Sequence, residues 1–542
     1  MPAPRILSSP VKEIKRNRHR YASLALLLSA PWALAHQAGH PKPDYQGTAQ
    51  AIQAQIESND LAGARTLLAS AMKQYPRDGG LETLLGVVDA QSNHRDAARK
   101  DFHQAVTDDP KLLSAWQNLA RLDMEDADHS PANADDAFRA YVQILKLDPS
   151  DAESMYGAAT AAMWRHQFGV SLEYLKKLRP EDQARPRVLA IACADEFNMS
   201  NVQAGEKAAS AMSASTDLEE GDVMLVLPAL RAAHRPELLD QLLSAIDARH
   251  PLSASALRTL GLAEEAEGKS QQARATLERA YQMDSAAVDP LVDLARIALA
   301  QGDKQGALGY LAHARAIAPK NATLAYQYGY VCLQMRLLRE AQSSMADAVR
   351  LAPDNPDFLL TMGTLATGTD ALPYLQRYRD LRPNDPAGFL AQGIALLDSN
   401  HPEQASIWLK RAEAFPKTSL SACYYMGRAL TEEGRYDEAI EELKRADSLH
   451  SDQPEVMAEL GTDYFWLKRY QEALVPLRRA LELDPENYLA NYTLLRLYSQ
   501  TNDPQRQEQA RKFADLRTQR EDQYHDAMRV IEARPQPLSD TD

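Results

Sequence analysis

The side chains of this 542-residue sequence that could do chemistry are its histidines, thiols and paired carboxylates. Glu432-Glu433 and Glu441-Glu442 have the make-up of an acid/base pair. Lys444 and Arg445, however, follow Glu441 at the three- and four-residue spacing of ion pairs along one solvated helix face. His94, His166, His234, His250, His313 and His401 stand mainly near turns or helix ends, where a solvated role is expected. His36 and His40 lie in a polar segment with nothing to fix a second ligand shell, so no metal is assigned to them. Cys193, Cys332 and Cys423 are far apart, without disulfide or zinc spacing, and are expected to be buried free thiols. There is no phosphate-binding Gly-rich loop, no G-x-S-x-G elbow and no H-E-x-x-H helix. No catalytic residue, metal or cofactor is therefore assigned, and the chain is expected not to be an enzyme.

What organises the chain is a repeat. Over Ser421 to Asn487 the sequence matches itself: Gly427 with Gly461, Ala439 with Ala473, Leu443 with Leu477 and Ala446 with Ala480, each pair 34 residues apart. Small residues let two helices approach, the leucines fill the space between them, and Pro485 ends the second helix. Leu460, Gly461, Tyr464, Ala473, Leu477, Ala480 and Pro485 stand at the spacing of the tetratricopeptide repeat, with Met457 at its Trp place and Leu477 at its Phe place. The chain resembles that family, and the resemblance implies an all-α, right-handed superhelical solenoid of helix-turn-helix pairs. About fourteen pairs are expected from the period.

Taken in order, residues 1–35 have the form of a secretory signal. The run KEIKRNRHR precedes the apolar YASLALLLSAPW, and Ala33-Leu34-Ala35 is a small-x-small cleavage site. The apolar run is shorter than the roughly 20 residues that span a membrane. Export to a periplasm or the exterior with cleavage is expected, an uncleaved anchor being the alternative. Residues 36–44 are a flexible lead-in. Repeat pairs then run over 45–150, with MEDADHSPANAD expected as a longer acidic loop inside the third. The phase weakens over 151–253, where degenerate pairs and local flexibility from Arg179 to Ser255 are expected. Regular pairs follow over 254–487, then a helical cap over 488–533 and a disordered tail over 534–542. The formal charge is -15, and the leader's net of +5 leaves -20 on the body. So acidic a body has no excess cations to displace phosphate counterions, and nucleic acid is not an expected partner.

The resemblance also implies a groove lined by the first helix of each pair. Its places fall on Tyr326 and Tyr330, on Tyr424, Tyr425 and Arg428, on Phe465 and Trp466, and on Tyr492 and Arg496. Tyr, Trp and Arg make large contacts at low entropic cost and dominate binding hot spots. Gln117 stands where the family's carboxylate clamp would need a cation, so capture of a partner's C-terminus is not expected. The function implied is a non-catalytic, exported scaffold or adaptor that binds protein partners, components of an envelope assembly or export complex. The alternative is a glycan-binding or enzyme-associated subunit of a surface-polysaccharide machine, with aromatic faces stacked on sugars.

Overall fold

The computed structural model describes residues 45–126 and 131–532. The leader, the lead-in and the tail lie outside the described residues. Every described regular element is helical: twenty-nine α-helices and one short 3-10 turn, with no strand among the described residues. Twenty-eight of the helices form fourteen consecutive pairs, and the remaining one, Pro180–Gln183, is a single turn between pairs. The chain divides after Thr276 into two compact blocks.

The pairs form because small and large residues alternate between facing helices at a fixed offset. In the C-terminal block a Cβ placed on Gly393, Gly427 or Gly461 would fall 2.6, 2.6 and 2.4 Å from the side chain of Leu409, Leu443 or Leu477. Glycine on the first helix makes the room that the leucine sixteen residues later fills. Those three leucines, with Ala405, Ala439 and Ala473 one turn before them, are fully buried. In the N-terminal block Gly86 and Phe102 repeat the device at 2.5 Å, with Ala98 and Ala105 sealed on either side.

The turn joining the two helices of a pair is as regular as the core. Asn59 and Asn93 adopt positive φ, and so do His166, Ser200, His234, Gly268, Gly302 and Arg336 at 34-residue intervals. The series resumes at Asn400, Gly434, Lys468 and Asn502. Each left-handed residue ends a helix so that the next N–H reaches back five residues, as from Asp60 to Gln55 O (2.8 Å) and from Arg435 to Leu430 O (2.9 Å).

One expectation about the organisation is corrected. The acidic insertion is mostly helical: one helix, Leu113–Asp126, runs into it from before, and Pro131 opens the next, Pro131–Leu147. Over 151–253, where degenerate pairs were expected, the left-handed residues keep the 34-residue interval, with the single turn Pro180–Gln183 added between two pairs. Here the sizes have been exchanged: Gly205 and Ala209 replace the usual Ala and Leu on the second helix, and Phe197 on the first crosses over to meet Gly205. Ile191, Met212, Leu242, Leu243 and Leu252 are fully buried there, as in the regular pairs.

The final helix, Arg506–Glu532, lies within the stretch 488–533 and packs on the helix before it. Gln509 Nε2 donates to Asn491 Oδ1 (2.9 Å), Leu516 is buried, and Phe513 packs on Tyr488 and Tyr492. All three cysteines are buried and free. His166 and His234 occupy left-handed turns, while His94 and His401 precede helices, the turn and end positions expected of them.

Candidate functional site

Three successive first helices, Ser419–Glu432, Pro454–Trp466 and Tyr488–Thr501, carry seven of the nine expected groove residues. The 34-residue period puts Arg428, Thr462 and Arg496 at one helical place and Tyr424, Ala458 and Tyr492 at another, so neighbouring pairs present them side by side.

The structure sorts the nine into three groups. Tyr326 and Tyr330 lie on the helix Ala322–Gln334, stacked 6.4 Å apart. Tyr326 also stacks on buried Phe358 of the next first helix at 4.7 Å, and its hydroxyl meets Thr361 Oγ1 at 3.2 Å, so packing between pairs occupies it. Tyr424 and Tyr425 meet edge to face at 5.1 Å. Arg428 lies 5.6 Å over Tyr425 and reaches Glu459 at 3.6 Å. Burial pushes the Tyr424 hydroxyl up, with Glu459 adding to it.

The third group is the most open. Arg496 lies 4.6 Å over the Trp466 ring, 5.0 Å over Phe465 and 5.6 Å over Tyr492. Trp466 and Tyr492 keep 43% and 41% of their surface, whereas Phe465 is buried beneath them and supports the cluster rather than presenting it. Tyr436, from the pair before, stacks on Trp466 at 6.2 Å, so the indole is flanked from both neighbouring pairs. Arg428, Arg435, Arg445, Arg469 and Arg479 are all ion-paired, but Arg496 has no carboxylate partner among the described residues.

Beneath this face lies a polar layer that residue types alone did not single out. Thr431 Oγ1 donates to Asp463 Oδ1 at 2.8 Å, and Thr462 and Thr493 share a hydrogen bond of 3.0 Å. Burial, opposed by that Thr431 bond and reinforced by Glu459, raises the Asp463 carboxyl to about 7. Burial likewise raises Glu459 to about 7, eased by Arg428 and reinforced by Glu432. Burial prevails over the Arg428 ion pair because that pair is long. Tyr436 and Phe513 also escaped the sequence reading: the first opens a second helix, and the second sits in the cap, outside the places of the repeat that line the groove.

Among the described residues the acidic groups that approach one another around a thiol, Glu413, Glu442 and Cys423, already hold Lys410 and Arg445. They are an ion-pair network rather than an empty metal site.

Comparison with known proteins agrees with this architecture. Three tetratricopeptide-repeat family profiles match residues 229–290, 265–320 and 420–452. The chain is a tetratricopeptide repeat protein. Among solved structures it is similar to the APC/C hetero-tetramer Cut9-Hcn1, with 14% identity over 84% of this chain and 90% of that one and a TM-score of 0.35. It is also similar to yeast Tom70, with 14% identity over 82% and 99% and a TM-score of 0.32. A third is YrrB, described as a repeat protein with an unusual peptide-binding site, with 19% identity over 40% and 96% and a TM-score of 0.25. No curated protein sequence matches the chain. No described helix is long and apolar enough to cross a membrane.

Proposed function

We propose that the chain is a non-catalytic scaffold or adaptor that binds protein partners through the faces of its first helices, and that it is exported and serves cell-envelope assembly or export. The observation that carries the binding reading is Arg496: a guanidinium held over Trp466 and Tyr492, partly open to solvent and without a carboxylate. Its geometry is fixed before any partner arrives, so little side-chain entropy is lost on binding. The leader over residues 1–35 is the support for export. Stacking on a sugar needs a free aromatic face, and Tyr436 and Arg496 both lie over the indole of Trp466, so the protein-binding reading is preferred to the glycan one.

The test is a pull-down from an envelope extract with the chain from His36 onward, beside the variant Trp466→Ala/Tyr492→Ala/Arg496→Gln, after both show the same helical circular dichroism. Specific proteins retained by the first and lost by the second support the reading. The same proteins on both, or none on either, refute the cluster as the binding site. Retention of soluble polysaccharide with no protein would move the function to glycan.

A further inference from the structure

A second arginine-aromatic group stands apart from the first-helix face. Arg379 lies on the helix Leu372–Leu381, and Trp408 and Arg411 lie on the helix Pro402–Glu413, both of them second helices of their pairs. The Arg379 guanidinium is 4.0 Å from the centre of the Trp408 ring, and that of Arg411 is 5.0 Å from the same centre and 4.1 Å from that of Phe389. Two like charges thus converge on one indole. The Nε of Arg379 is sealed from solvent and has no hydrogen-bond partner.

Around them the ordinary pattern is different. Arg377 pairs with Asp354 at 2.6 Å and Lys410 with Glu413 at 2.9 Å, but neither Arg379 nor Arg411 has an ion pair among the described residues. Asp385, at the start of the helix that carries Phe389, is taken by the Tyr378 hydroxyl (2.6 Å) and the Ala387 N–H (3.0 Å). Asp380 and Arg382 are exposed. Burial makes the Arg379 cation harder to keep, an effect eased by Asp380 and reinforced by Arg411. In a chain of formal charge -15, an uncompensated pair of guanidiniums is a charge waiting for an anion.

We infer that Arg379, Trp408 and Arg411 form an oxyanion-binding site that takes a carboxylate side chain from an acidic, apolar peptide segment. A guanidinium fork matches a carboxylate with two parallel N–H donors. Phosphate cradles add converging backbone N–H groups. The helix start beside this site offers none, because Pro386 has no N–H and Asp385 already accepts from Ala387. Ile407, 64% exposed and one turn before Arg411 on the same helix face, supplies an apolar neighbour suited to a peptide and of no use to a free ion.

The probe is an acetylated, amidated peptide alternating Leu and Glu, its Leu-Gln counterpart and, separately, inorganic pyrophosphate. Each is titrated calorimetrically into the full chain at one ionic strength. Saturable binding of the Glu peptide is expected, weakened at least about tenfold in the Gln peptide and in Arg379→Gln or Arg411→Gln, the loss of one charge-assisted hydrogen bond. Arg496→Gln should leave it unchanged, which separates this site from the first-helix cluster. Arg411 is exposed and makes no hydrogen bond, so Arg411→Gln should keep the wild-type helicity and unfolding midpoint; it decides the matter if Arg379→Gln perturbs the fold. Binding unaffected by either substitution, no saturable binding of the Glu peptide, or tighter binding of pyrophosphate than of the Glu peptide would overturn the assignment.

Discussion

Gly461→Ala tests the packing rule on which the array rests. A methyl group at that position would sit 2.4 Å from Leu477 Cγ, 2.6 Å from its Cδ2 and 3.2 Å from its backbone nitrogen. Leu477 is fully buried, so it has no free direction in which to turn, and the backbone nitrogen cannot turn at all. Relief requires the helices to separate. Overpacking of this kind costs about 1–3 kcal/mol, against a gain of about 1 kcal/mol from replacing glycine inside a helix. A net loss of up to about 2 kcal/mol is expected from the difference of those terms. Gly309, inside the helix Lys304–Ile317, has no atom within 4 Å of the same hypothetical methyl. There only the propensity gain remains, and Gly309→Ala should stabilise by about 1 kcal/mol. The assay is urea unfolding followed by circular dichroism, with hydrogen exchange of each helix pair beside it because repeat arrays can unfold in parts. Shifts of the two variants in the same direction would refute the packing argument.

Other outcomes follow from burial and backbone. Because Asp463 titrates near 7 when folded and near 4 when unfolded, the folded chain binds more protons between those values, and this carboxyl's contribution falls as pH rises from about 4 to 7. Asp463→Asn should therefore be more stable than the parent at pH 8 and no more stable near pH 4, measured by unfolding midpoints across that range. Arg99 pairs with fully buried Asp123 at 2.7 Å, so Arg99→Met should cost about 3 kcal/mol at pH 7 by leaving that charge alone. Adding Asp123→Asn should recover most of the loss in the same unfolding assay. At the left-handed turns, Lys468→Gly and His234→Gly should each raise stability by about 1 kcal/mol, and Gly434→Ala should lower it by a similar amount. Hydrogen exchange should show Arg179 to Ser255 as protected as the flanking pairs, since its core is equally buried; markedly faster exchange would bear out the flexibility read from its side-chain pattern.

The helix pairs were legible because Gly427 with Leu443 and Gly461 with Leu477 encode one steric relation twice, and steric fit is local enough to be read from spacing. It failed to be read where size moved between partners: Phe197 facing Gly205 satisfies the same volume with the large residue on the other helix. The insertion MEDADHSPANAD was misjudged because its acidic residues resemble a loop, whereas Glu125 and Asp126 continue the helix before it and Asp135 lies in the helix that Pro131 starts. For the site, Trp466, Tyr492 and Arg496 were found through their place in the repeat. Phe465 shares that place but is buried by its neighbours, which only three dimensions reveal. Asp463 was invisible because a carboxylate on a polar-looking helix is ordinarily solvated, and nothing in residue order says that Thr431 from the preceding pair covers it. Arg379 and Trp408 meet across two helices twenty-nine positions apart, a distance at which composition carries no signal.

The left-handed residue that recurs between the helices of the described pairs, the third and its junction set aside, makes the chain divisible. From His166 to Arg336 it falls every 34 positions whatever its identity, His, Ser, Gly or Arg, so the joint is written in backbone geometry and tolerates exchange of the side chain. Among the pairs that share the glycine-leucine pattern, cutting at one such joint and rejoining at another removes or adds a whole number of modules while leaving each remaining knob opposite a socket. Length thereby becomes a free variable: a shortened chain spliced from Gly434 to Lys468 would lose one module and place Gly427 opposite Leu477 as it now stands opposite Leu443, whereas a splice from Ser200 to His234 would leave Phe197 without Gly205.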